Sequence, residues 1–153
     1  MENPLKPPGK RRLARELAVQ FLYQHDLNQQ PLEQALHAFW TAQPLSVEPA
    51  RPFSEELIRG TLDRLPAIDE AIRKYAEHWE LDRIAAVDRN ILRLAIYEMM
   101  GRDDIPPVVS INEAIDIAKK FSTQESGAFV NGILDRLKND LTRPARVASG
   151  KTE

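Results

Sequence analysis

The sequence predicts an all-α protein of about seven helices in two groups, and three observations predict it. No segment alternates apolar and polar residues in the β-branched pattern of a strand. Apolar residues instead recur at helical spacing almost throughout, and proline- or glycine-bearing breaks divide them into helix-length pieces. With 153 residues, 42% hydrophobic and 29% charged, the chain has the size and composition of one globular domain with a real core.

Residues 1–9 hold three prolines and a glycine, which predicts a flexible lead-in. A first helix runs from Lys10 to Leu27, and Pro31 opens a second that ends near Thr41. Gln43 to Pro52 carries three prolines and reads as an internal linker. Ser54 caps the next helix, with Glu55 and Glu56 in its first turn, and Pro66 splits that helix into one segment to Leu65 and another to Trp79. Asp82 caps a long apolar helix ending near Gly101. Ser110 with Glu113, and Ser122 with Glu125, fit the capping box that opens each of the last two helices. A single helical domain over 10–141 is thus expected, followed by a disordered polar tail over 142–153.

Projection at about 100° per residue shows which side chains do not fit their helix. In the first helix Leu13, Ala14, Leu17 and Phe21 form the core stripe, while Tyr23 lies nearly opposite, in line with Arg12 and Glu16. In the long helix Ile84, Val87, Ile91, Leu94, Ala95 and Met99 make a broad apolar arc into which Asp88 and Glu98 project. A buried carboxylate is costly unless paired. Each therefore meets an arginine from another helix or waits for a partner molecule. Ile111, Ala114, Ile115, Ala118 and Phe121 share a face, with Lys119 and Lys120 outside it. Phe129 falls at the edge of the last stripe, Ile133, Leu134, Leu137 and Leu141, where it either closes the core or offers a ring for base stacking.

The net charge of −2 hides an asymmetry. Residues 1–15 hold Lys6, Lys10, Arg11, Arg12 and Arg15 against Glu2, a local +4 on an otherwise acidic chain. A positive arm of this kind suits a local polyanion contact. Catalytic chemistry is not indicated. His25, His37 and His78 lie far apart without ligand spacing, and no Walker loop, dinucleotide fingerprint or nucleophile elbow occurs. The Gly127–Gly132 pair lacks the lysine and hydroxyl a phosphate loop needs. No metal or cofactor is expected. No apolar run is long enough to span a bilayer, and the absence of cysteine fits a cytoplasmic protein.

Two blocks of wording are distinctive. VDRNILRLAIYEMM, followed by SINEAIDIAKKFSTQESGAFVNGILDRL, runs from Val87 to Leu137, and RRLARELAVQFLYQ runs from Arg11 to Gln24. Together they resemble the NusB family of bacterial transcription antitermination factors, in its order and approximate spacing. The resemblance implies two three-helix bundles sharing a long helix. It implies binding of the single-stranded boxA element of nascent ribosomal RNA together with NusE, a small-subunit ribosomal protein, within the RNA polymerase antitermination complex. Position by position, it implies RNA contacts at Lys10, Arg11, Arg12, Arg15, Glu125 and Phe129, and at Tyr75 across a one-residue gap. Tyr23 and Asp88 match the partner's surface. Leu13 stands where the family's arginine run has a third basic residue, so the patch is thinner here. A NusB-like domain also occurs fused to RNA methyltransferases, so a helper domain for an RNA-modifying enzyme is the alternative. Self-association as a homodimer is left open.

Overall fold

A computed structural model of the chain describes residues 9–77 and 79–141. It contains seven α-helices: Lys10–Asn28 (α1), Leu32–Thr41 (α2), Arg51–Asp63 (α3), Leu65–Tyr75 (α4), Ala86–Gly101 (α5), Pro107–Phe121 (α6) and Gln124–Leu141 (α7). Short 3-10 helices span Leu45–Ala50 and Leu81–Arg83, and no strand occurs among the described residues. The all-α expectation holds. The expected lead-in, apart from Gly9, and the expected tail lie outside the described residues.

The middle of α5 is buried on every side, not along one stripe: Leu92 and Ile96 are as enclosed as Ile91, Leu94 and Ala95. A helix apolar all round must be packed all round. Accordingly α5 packs against α1 and α3 on one flank and α6 and α7 on another, with α4 against both α5 and α7. This is the shared helix of two bundles. Each fully buried Leu or Ile contributes roughly 1.5–3 kcal/mol. Gly60 permits the close approach of α3 to α5, because a Cβ there would overlap the Tyr97 ring. Pairing of Arg15 with Glu98 and of Asp26 with Arg89 sets α1 antiparallel to α5.

Two helix starts differ from expectation because a proline takes the first turn ahead of the apparent cap, and two more shift for other local reasons. Pro52 lets α3 begin at Arg51, so Ser54 is buried inside the helix and caps nothing. Pro107 does the same for α6, freeing Ser110 to donate to Glu98 at 2.7 Å. Asp82 sits in a 3-10 turn, and α5 begins four residues later, at Ala86. At α7 the cap is Thr123 rather than Ser122; its Oγ1 accepts the Ser126 N–H at 3.0 Å. The expected linker over 43–52 is instead largely a 3-10 helix packed on α1 and α3, with Val47 and Ala50 buried. Helix α4 stops at Tyr75, short of Trp79. On α6 Ile117 is buried, whereas Phe121, at the helix end, is exposed.

Candidate nucleic-acid and partner interface

The basic start of α1 divides into two committed and two uncommitted cations. Arg15 is only 4% exposed and donates two hydrogen bonds to Glu98, at 2.8 and 3.0 Å. Glu98, 1% exposed, also accepts from Ser110, so this carboxylate in an apolar arc has the arginine partner its burial demands. Arg12 is half-buried and forks onto Glu113 at 2.5 and 2.8 Å, with Asp116 at 3.0 Å. The hydrogen bond from Arg12 holds the Glu113 carboxyl below the usual carboxylate range despite partial burial, and the same bond raises the Arg12 pKa. Both arginines thus tie α1 to its neighbours. Lys10 and Arg11 are exposed, with no ion pair among the described residues. The Arg11 guanidinium lies 4.3 Å from the centre of the Phe53 ring.

Three of the candidate residues meet at the opposite end of α5. Asp88, Glu125 and Phe129 line one pocket of about 340 Å³ together with Trp79, Arg83, Ile84, Ala85 and Ser126. Asp88 is 7% exposed; its Oδ2 accepts from Ser126 at 2.9 Å, and its Oδ1 is buried with no hydrogen-bond partner. A carboxylate oxygen enclosed without a donor is costly, and it stays enclosed here because Asp88 is held in the pocket wall by Ser126. Phe129 is half-buried and meets Trp79 edge to face, with ring centres 6.4 Å apart. Trp79 is 53% exposed, and the Arg83 guanidinium beside it has no partner among the described residues. Neither residue stood out in the sequence. The available signal was a bulky aromatic isolated in the polar run EHWELDR.

The pocket and the basic arm are not contiguous. The arm sits by Arg102, just past the end of α5, and the pocket by Asp88 near its start, roughly 20 Å apart at 1.5 Å per residue. Tyr23 is half-buried on the α1 face that carries Arg12 and Glu16 toward α6, where Glu16 pairs with Lys120 at 3.0 Å. Tyr75 is buried between α4 and α7 and donates its hydroxyl to Asp140, a bond that raises its pKa. Burial leaves that ring little surface for stacking, and a neighbouring aromatic, Trp79, is exposed in its place. A second cavity of about 600 Å³ also borders Trp79. Its Arg89 and Arg93 are bound to Asp26 and Asp69, which consumes their charge inside the fold.

Among the described residues no cluster of His, Cys, Asp or Glu could hold a metal ion, and no helix is long and apolar enough to cross a membrane.

Comparison with known proteins agrees with this architecture. The model of the NusB family matches residues 12–139. The transcription antitermination protein NusB of Solibacter usitatus is 45% identical over 137 residues, covering 89% of this chain and 93% of its own. The solved structure of T. maritima NusB matches with a TM-score of 0.78 at 40% identity, over 93% of this chain and 98% of that one. A crystal structure of antitermination factors NusB and NusE in complex with dsRNA matches with a TM-score of 0.73 at 25% identity, over 86% of this chain and 97% of that one. With the match running through nearly the whole helical body, the chain belongs to the NusB family.

Proposed function

We propose that this chain is a non-enzymatic, RNA-binding transcription antitermination factor. It binds the single-stranded boxA element of nascent ribosomal RNA together with NusE, and the complex promotes read-through by RNA polymerase. The observation that carries the reading is the exposed Trp79 paired with Phe129 at a pocket whose rim holds the uncommitted Arg83. Single-stranded RNA is held by such combinations: unstacked bases lie on aromatic faces, and cations neutralise the phosphates. The likeness to a NusB–NusE complex with RNA supports the same class of partners.

In this reading Phe129 and Trp79 stack, and Glu125 accepts from base amino groups. Lys10 and Arg11 take phosphates some 20 Å away along α5, so the RNA lies extended between the two sites. Tyr23 and Asp88 are assigned to the NusE contact, with Asp88 held by Ser126 in the wall of the pocket that carries the two rings, so that the partner and the RNA meet at this end of α5. Two modest surfaces joined on one scaffold bind RNA far more tightly than either alone.

Tryptophan emission tests the RNA contact directly. Of the two tryptophans, Trp40 is 4% exposed in the core and Trp79 is open, so a quench on adding single-stranded boxA RNA reports Trp79. The quench is expected in the wild type and lost in Trp79→Phe. RNA binding with no change in emission would remove the aromatic pair from the site.

A further inference from the structure

Phe53 lies in the first turn of α3, directly after Pro52, and three guanidinium groups converge on its ring: Arg11 at 4.3 Å, Arg102 at 5.5 Å and Arg15 at 5.6 Å from its centre. Three like charges around one ring repel unless most are neutralised. Arg15 is neutralised by Glu98, and Arg102 donates to Asp104 at 3.0 Å and to Glu56 at 2.8 Å. Arg11 alone of the three makes no hydrogen bond or close ion pair among the described residues; Asp104 acts on its charge only from a distance. The other two are held by their carboxylates at 5.5 and 5.6 Å from the ring centre, while the third is the nearest to the ring and makes no hydrogen bond among the described residues.

The base of the ring is rigid. The 3-10 helix Leu45–Ala50 runs straight into α3, Pro52 restricts the backbone, and Ala50, Ser54 and Leu57 around it are fully buried. Phe53 itself packs part of its surface on the core. An arginine otherwise loses much side-chain freedom on gripping a phosphate, and a planar guanidinium already laid on an aromatic face has lost it beforehand.

We propose that Phe53 is a positioning residue for RNA binding. It holds the Arg11 guanidinium against its ring, oriented for a backbone phosphate, and does not itself touch RNA. This rests on the RNA-binding reading above and adds a residue to it. The start of α1 then acts as one pre-set cation with the looser Lys10 beside it, not as a floppy basic arm.

The test is a double-mutant cycle on the full chain with labelled single-stranded boxA RNA at several salt concentrations, each variant measured per folded molecule. Phe53→Leu should weaken binding about two- to fivefold, the range of an exposed cation–π contact, and Phe53→Tyr should restore it. In the Arg11→Gln background Phe53→Leu should change nothing further. Arg11→Lys, which leaves the core untouched, should weaken binding as much as Phe53→Leu does, because an ammonium keeps the charge but not the stacking. Equal losses from Phe53→Leu with and without Arg11, or a neutral Arg11→Lys, would overturn the proposal. Wild-type binding that Arg11→Gln leaves unaltered would overturn it while leaving RNA recognition standing. Failure of the wild type to bind this RNA would overturn the RNA-binding reading itself, and the proposal with it.

Discussion

Arg15 separates a phosphate ligand from a structural ion, and replacing it gives opposite results for the two. It is 4% exposed, lies 3.5 Å from Glu113 and forks onto Glu98, which is 1% exposed and among the described residues has Ser110 as its one further side-chain partner. Arg15→Gln leaves a buried carboxylate with one neutral donor. Breaking a buried pair in this way costs roughly 3–5 kcal/mol. For a chain of this length each kcal/mol lowers the melting midpoint by about 2–4 °C, so the loss should be on the order of 10 °C or more. Removing both charges, as Arg15→Met with Glu98→Leu, should recover much of the stability, since well-packed apolar replacements of buried pairs are often neutral. Urea unfolding of the three proteins measures this, and RNA titration of the folded fraction should show unchanged affinity. An Arg15→Gln protein that keeps wild-type stability while its RNA affinity falls and its salt slope drops by about 0.7, the signature of one lost phosphate, would instead make Arg15 a phosphate ligand.

Three further outcomes follow from the same geometry. The Glu113 carboxyl is held low by Arg12, so its contribution to stability is present above the ordinary glutamate value of about 4.3 and is lost as pH falls through the lower native value. Glu113→Gln should therefore flatten the acid limb of the stability–pH curve, and an unchanged limb would mean that the pair contributes nothing. Asp88→Lys should weaken NusE binding by like-charge repulsion, and because Asp88 lines the pocket of Trp79 and Phe129, calorimetry against NusE is paired with RNA titration of the chain alone: a loss confined to RNA would move Asp88 from the partner contact to the RNA site. Phe129→Ala should cost about 1–3 kcal/mol in RNA affinity, with a smaller loss of stability than a fully buried phenylalanine gives.

The helical body was legible because its signals are periodic. The apolar arc of α5 and the stripe of α7 needed only spacing, and Glu98 stood out as a charge that had to be paired. What the sequence could not supply was the partner's distance along the chain. Arg15 and Glu98 are 83 residues apart, so nothing near Arg15 distinguishes it from Arg11, which is exposed four residues earlier in the same basic run. Caps failed where two local signals competed: Ser54 and Ser110 each look like a helix start, but Pro52 and Pro107 stand ahead of them and set the first turn. The exposure of Trp79 was not legible, since the helical spacing continues past Tyr75 although the helix ends there and leaves Trp79 in the loop beyond. The burial of Tyr75 was equally out of reach, because its Asp140 partner lies 65 residues on.

The central claim is that two RNA-facing sites on this scaffold act with NusE on a boxA strand. The most direct measurement is the affinity of the full chain for single-stranded boxA RNA and for a scrambled strand of equal composition, each with and without NusE. The chain alone should bind modestly and with marked salt sensitivity. NusE should strengthen binding to boxA by tenfold or more, on the order expected for linked surfaces, and strengthen the scrambled strand far less. Equal affinity for both strands in the presence of NusE, or RNA binding that NusE leaves unchanged, would contradict that claim.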